Sequence, residues 1–345
     1  MRSVLCALLL VSCSDPKKPV ADPGKRDGGS GATISDANVT LPPAPPIPTV
    51  PAGLPKAPDL SGVTPEAVAL GELLFSDPRL SSTGAIACAD CHVPKAGFSG
   101  QALAETATGK ANLRRAPTLV NLAWHDGLAW DGRFGSFAEL IGPHAQGQLG
   151  IDLAEAVARI ADVPGYRAHF ARTGGASAAT AQKALEAFVM TRYAGDAPWD
   201  RAERAPDAPA DIKAGYVLFT NKAQCGTCHT PPHYTDHRYH RLGLIASADE
   251  GRGKIEPAQK GAFKTPTVRG AAAREAFFHD ASAKSLDAAI DWHLAGGTGQ
   301  GADSSIIDPA LRKVNLSPKE REQLGAFVRS LTDVAAPPPV KPALP

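Results

Sequence analysis

Two short stretches of this chain share one pattern, Cys88-Ala-Asp-Cys91-His92 and Cys225-Gly-Thr-Cys228-His229. Paired thiols followed at once by a histidine suit the attachment of c-type haem. The sulfurs form thioether bonds to the porphyrin, and the imidazole binds the iron. Disulfides, thioredoxin-like redox pairs and zinc are the competing readings. Two copies, each with its own histidine and with no cysteine left over in the mature chain, select two covalently bound haem c groups. Of the remaining cysteines, Cys6 would leave with the signal and Cys13 would take a lipid.

A haem held by one histidine needs its opposite face ligated, open or shielded. The stretch "SLDAAIDWHLAGG" reads as an amphipathic helix on which Leu286, Ile290, His293 and Leu294 share one side. His293 on that core-facing side is either a core histidine bonded to a buried carbonyl or a second iron ligand. An internal repeat favours the ligand. Gly71-x-x-Leu74-Phe75 precedes the first haem motif and Gly215-x-x-Leu218-Phe219 the second. Ala116-Pro117-Thr118-Leu119 then answers to Thr265-Pro266-Thr267-Val268. Counted from each proline, Trp130-Asp131 and His279-Asp280, Ser136 and Ser285, and His144 and His293 stand at equal offsets.

The elements that must position these residues read as helices. Thr64-Pro65-Glu66 opens one through Phe75, with proline at the first helical position. Others are expected at 152–160, 179–193 and 210–220, and Ser317-Pro318-Lys319-Glu320 forms a capping box before a last one. No run of strands stands out, so the expected fold is all-α. It comprises two tandem cytochrome c-like haem domains, 59–205 and 206–335, with a Pro-rich tail at 336–345.

The N-terminus sets the compartment. Residues 1–13 read as a lipoprotein signal peptide whose apolar run is too short to span a bilayer, ending in the lipobox Leu10-Val11-Ser12-Cys13. An ordinary cleaved signal is the alternative, and both export the protein. The expected location is the periplasm, with a lipid anchor on Cys13 as the sole membrane attachment. Residues 14–58, rich in Pro, Gly and Ser, read as a disordered tether. A net charge of +1 with scattered Lys and Arg excludes a nucleic-acid surface.

The segments "LGELLFSDPRLSSTGAIACADCH", "RRAPTLVN", "AWDGR", "GYVLFTNKAQCGTCH", "FKTPTVRG" and "FFHDASAKSLDAAIDWHLAGG" carry a resemblance to the bacterial di-haem cytochrome c peroxidase and MauG superfamily. It covers about residues 65 to 335. The resemblance implies that the His92 haem reacts with hydrogen peroxide and that the His229 haem transfers electrons. It puts His293 where the family has Met or Tyr as the second ligand. The mature chain's single methionine, Met190, lies on a helix that does not match that segment, so His92, His229 and His293 are taken as iron ligands. Trp130 matches the family tryptophan between the haems.

Three positions depart from the family. Residues 93–113 hold no histidine, so the ligand that blocks the resting site in classical peroxidases is missing, as in MauG. Gln148 stands in place of the distal glutamate and can orient peroxide without taking its proton. His144 is the candidate substitute for proton transfer, with direct ligation of the first iron and a core or surface position as its alternatives. Arg115 replaces the family's calcium-binding Asn, and the carbonyl donors align with Arg274 and Ala276. Two arginines there argue against calcium and suggest that a guanidinium replaces it. His279 matches a family histidine near the second haem. His233, His237 and His240, read as lacking an acidic or thiolate companion, are assigned to loop packing.

The expected function is peroxide-dependent oxidation. Electrons would come from a small redox protein, or the target would be a side chain of a partner protein. A non-catalytic di-haem electron carrier is the alternative.

Overall fold

Helix α1 (Pro65–Ser76) starts where the Thr64 hydroxyl accepts the Ala67 N–H at 3.2 Å. It buries Leu70, Leu73, Leu74 and Phe75 against α6 (Ala178–Met190). The computed structural model describes residues 39–345 apart from 57, 59, 204–208, 245–248, 299–306 and 334–341. The expected lipobox and the start of the tether lie outside the described residues. Among the described residues no helix is long and apolar enough to cross a membrane.

Between and after those two helices run α2 (Cys88–Cys91), α3 (Phe137–His144), α4 (Leu153–Ile160), α5 (Pro164–Arg172), α7 (Pro198–Glu203), α8 (Ala210–Val217), α9 (Leu286–Leu294) and α10 (Pro318–Ser330). The only strand pair among the described residues is Tyr239–His240 against Phe263–Lys264, antiparallel. The helix-rich character read from the sequence is therefore present, and α4, α6, α8 and α10 fall where periodicity and caps put them. Ser317 and Glu320 form the expected reciprocal cap of α10.

Two apolar clusters organise these helices. The first joins α1, α3, α4, α5 and α6 around Leu70, Ile160, Tyr166 and Phe188. The second joins α7, α8 and α10 around Trp199, Phe219, Leu324 and Phe327. Each depends on one glycine. A Cβ on Gly71 would fall onto the Ala184 carbonyl and crowd Phe188, and one on Gly215 would fall onto the Gln323 carbonyl and crowd Phe327. The repeated glycine thus marks the crossing point of α1 with α6 and of α8 with α10, where backbone meets backbone.

The repeat continues in the backbone. Ser136 caps α3 and Ser285 caps α9, each accepting an N–H three residues on. Ala129 and Gly132 have φ of 67° and 66°, and Phe278 and Ala281 have φ of 64° and 59°. Single bridges Leu128–Phe134 and Phe277–Ala283 close the two turns alike. Left-handed Ala and Phe are uncommon and carry strain, so both turns hold one unusual shape. They differ in surroundings: the Tyr239 hydroxyl lies where a Cβ on Gly132 would go.

The tether expectation needs correction over its second half. Residues 39–50 are extended, without helix or strand, but they do not hang free of the body. Arg172 donates to the Leu41 and Pro42 carbonyls at 2.7 and 2.8 Å, and Trp124 Nε1 to the Lys56 carbonyl at 3.2 Å. Arg269, paired with Asp200 in a buried bidentate bridge, donates to the Gly53 carbonyl. Ile47 packs on the first cluster and Leu54 is buried. Prolines lower the entropy lost on docking, and their carbonyls still accept hydrogen bonds, so a few apolar and arginine contacts suffice. The tail is tied likewise, with Leu344 on the first cluster and the Pro345 carbonyl bonded to Arg79.

Candidate haem sites

One helical turn, α2, carries Cys88 and Cys91, and His92 closes it with its N–H on the Cys88 carbonyl at 2.8 Å. The second motif makes the same turn, with the His229 N–H on the Cys225 carbonyl. Burial pushes the Cys88 and Cys225 thiols up to about 12. Such thiols are poor nucleophiles and poor metal ligands at neutral pH, whereas a thioether has no proton to lose. The donor set therefore fits covalent haem better than a redox thiol pair.

The histidines are oriented for iron. His92 Nδ1–H donates to the Pro117 carbonyl at 3.0 Å, with the Phe98 carbonyl at 3.3 Å. His229 Nδ1–H donates to the Tyr234 carbonyl at 3.2 Å and His293 Nδ1–H to the Ala289 carbonyl at 2.7 Å. A carbonyl can only accept, so in each ring the lone pair is left on Nε2. Phe98 and Tyr234, which supply two of these carbonyls, both take positive φ, 53° and 54°.

Each motif histidine faces a second imidazole. His229 and His293 have ring centroids 6.2 Å apart, and His92 and His144 have centroids 6.3 Å apart. Two metal–nitrogen bonds of about 2 Å, as at other imidazole sites, plus the depth of both rings span about that distance. The structure brings His293 to His229, and it brings His144 to His92 at the same spacing. Burial first, then the facing histidine, lowers His144 and His229 to about 4; burial also lowers His92 and His293. All four are neutral at pH 7, the form that binds metal.

The two second histidines are held differently. His293 lies in the uninterrupted helix α9 with Nδ1 anchored. His144 follows Pro143, which lacks an N–H for the helix, and precedes a π-helical turn, Ala145–Leu149. No side-chain hydrogen bond anchors its ring among the described residues. Gln148 does not join the pair. Its amide is used at both ends by Asn112, at 2.9 and 3.0 Å, a partner the sequence did not suggest.

The C-terminal cavity is lined by Cys225, Cys228, His229 and His293, and also by Arg115 and Trp130 of the first half. Trp130 is buried, donates from Nε1 to the Arg115 carbonyl at 2.7 Å, and lies 6.5 Å from the His279 ring. His279 stacks on Phe263 at 3.6 Å. Arg115 donates to Ser99 Oγ and to the Gly100 and Phe278 carbonyls, at 3.2 and 3.1 Å for the latter two. Its backbone N–H meets the His279 carbonyl at 2.6 Å.

The histidine-rich loop also needs correction. His240 has acidic companions: Nε2 is 2.8 Å from Asp236 and Nδ1 is 2.7 Å from Asp308. Hydrogen bonds to Asp236, the Cys228 sulfur and Asp308 raise it to about 11. Asp236 stands within the loop itself; Asp308 is too remote in sequence to read. His233 and His237 pack with His125 and Trp124, ring to ring at 4.6 to 5.6 Å.

Comparison with known proteins agrees with this geometry. Residues 65–207 match the di-haem cytochrome c peroxidase family. The methylamine utilization protein MauG of Methylorubrum extorquens is 37% identical over 287 residues, 79% of this chain and 80% of that protein. Cytochrome-c peroxidase IdrP1 of Denitromonas iodatirespirans is 28% identical, covering 88% of this chain and 90% of its own length. A solved MauG-like protein associated with microbial copper homeostasis superposes with a TM-score of 0.74 at 26% identity, over 88% of this chain and 99% of that one. Twin haem-attachment turns, each with a facing histidine, on a chain so broadly alike MauG and the peroxidases, make this protein a member of the di-haem cytochrome c peroxidase and MauG superfamily.

Proposed function

We propose that the chain is an exported, lipid-anchored oxidoreductase with two haem domains that reduces hydrogen peroxide to water at the His92 site. His144 closes that site at rest. Bound between the paired histidines, haem would supply the redox-active iron and the electrons that peroxide takes up together with two protons. The observation that carries the reading is the contrast between equal histidine spacing and unequal anchoring. A ligand set beside a proline and a π turn is one the chain can release; a ligand with its Nδ1 fixed inside a helix is not.

With haem bound and His144 released, its neutral imidazole would stand beside the His92 site, able to accept and return the peroxide proton. Gln148, paired with Asn112, positions that segment and does not serve in proton transfer. Trp130 relays electrons between the sites. Arg115 supplies between the halves a fixed positive charge in place of calcium. The terminal electrons come from a small redox protein, or from an oxidised side chain of a protein substrate as the MauG likeness suggests.

Low-temperature EPR of the ferric protein, with a peroxide-consumption assay, tests this. The expected result is two low-spin signals and consumption faster than that of free haem. A high-spin signal at rest overturns ligation by His144. Two low-spin signals without peroxide consumption would establish the electron carrier, a reading favoured by the matched spacing of the two pairs.

A further inference from the structure

Buried charges are paired or they neutralise. Two guanidinium groups on the wall of the C-terminal cavity are not paired with any carboxylate. Arg274 is buried, and donates only to backbone: Nη1 to the Thr267 carbonyl at 3.1 Å and Nη2 to the Arg269 carbonyl at 2.6 Å. Its Nε is buried without a partner. Arg115 is also buried, and its guanidinium meets a serine hydroxyl and backbone carbonyls. Asp280 acts on Arg115 through space but forms no ion pair with it among the described residues. Burial first, then the charge on Arg115, lowers Arg274 to about 9; burial takes Arg115 to about 10. Both remain cations at neutral pH, side by side, against a cavity that also holds Cys225, Cys228, His229 and His293.

Other arginines in the molecule show what compensation looks like here. Arg269, equally buried, has a bidentate bridge to Asp200 at 2.7 and 2.8 Å. Arg114 is bridged to Asp131 and Asp249. The unpaired two are the ones that border the cavity, so their counter-ion belongs to what the cavity receives.

We propose that Arg274 and Arg115 form a carboxylate-binding site that holds the propionate groups of the C-terminal haem and, by their fixed charge, favours its reduced state. The proposal rests on the di-haem reading and goes beyond it in naming positioning residues that touch the prosthetic group without binding its iron. Taking one electron makes the ferric haem one unit less positive. Two nearby guanidinium charges therefore favour reduction, countering the low potential that a bis-histidine haem would otherwise have. An arginine fork is suited to a carboxylate partner.

The test uses the full holoprotein and optical spectroelectrochemistry, with the haem count fixed by pyridine haemochrome. Arg274→Met should leave both haems attached and low-spin. It should lower the midpoint potential of the C-terminal haem by about 59 mV, a tenfold change in its one-electron equilibrium. Arg274→Lys, which keeps the charge, should recover most of that shift. An unchanged potential in Arg274→Met with both haems attached overturns the proposal and leaves Arg274 as a brace for the 267–269 backbone.

If the Met variant does not fold, the wild-type protein decides. Among groups lining the same cavity, His279 lies at about 4 and Lys264 at about 8, and Asp308 is held low. Carboxylates gripped by fixed cations stay ionised, so the midpoint potential should be flat from pH 5 to 7. A slope across that window overturns the proposal. A haem count of one would instead overturn the di-haem reading itself.

Discussion

The two haem sites of this chain are near copies in geometry and opposites in mechanics. Ring spacings of 6.3 and 6.2 Å differ by less than the width of any chemical argument. The N-terminal pair ends on a histidine where an α-helix passes, beside a proline, into a π turn, and the C-terminal pair on a histidine whose Nδ1 is tied to its own helix. Their surroundings diverge too, since the unpaired arginines line the C-terminal cavity. Duplication can preserve where side chains stand while changing how firmly they are held.

The largest effect that would break or sharpen this contrast is expected from His144→Ala. One low-spin EPR signal should become high-spin, and peroxide turnover should fall by about 10²- to 10⁴-fold, the usual worth of a positioned proton shuttle. Faster turnover would leave His144 as a gate and nothing more. His293→Met comes next. It should keep the C-terminal haem low-spin and raise its midpoint potential, because methionine ligation favours ferrous iron. Trp130→Phe should leave both spectra in place and slow electron exchange between the sites, as followed by stopped-flow absorbance.

Smaller effects probe the scaffolds. Gly71→Ala and Gly215→Ala should each cost about 1–3 kcal/mol in denaturant unfolding, the usual range for overpacking, and by similar amounts if the two crossings are equivalent. Unequal costs would show that the halves have diverged in packing as well as in ligand anchoring. The smallest effect is acidic. Burial pushes Asp249 up, but the Arg114 guanidinium and the Gly251 N–H outweigh this and hold it at about 2. A carboxylate depressed in the folded state stabilises above its unfolded value, and that stability is lost as pH falls through the folded one. Thermal stability should therefore decline between about pH 4 and pH 2, and less steeply in Asp249→Asn.

Much of this was legible where it depended on local spacing. The haem turns, the serine caps of α3 and α9, the crossing glycines and the face that carries His293 all follow from residues a few positions apart. The place of His144 was only partly legible, because its offset in the repeat left three readings open and its approach to the His92 ring is made by folding alone. The partner of Gln148 was not legible because Asn112 lies on a separate loop. Residues 39–56 look disordered by composition, yet Arg172, Trp124 and Arg269 grip their backbone, and no local rule predicts a partner so distant in sequence. Asp308, which completes the His240 clamp, is hidden for the same reason.

The turn around Trp130 and its counterpart around His279 share a backbone, yet Tyr239 presses on Gly132 while Ala281 is accommodated in the matching place. A chimaera carrying the second turn in the first position would drive a methyl group into the tyrosine ring. The two turns are thus alike in path and not interchangeable in sequence: one tyrosine makes the same backbone accept a side chain in one half and refuse it in the other.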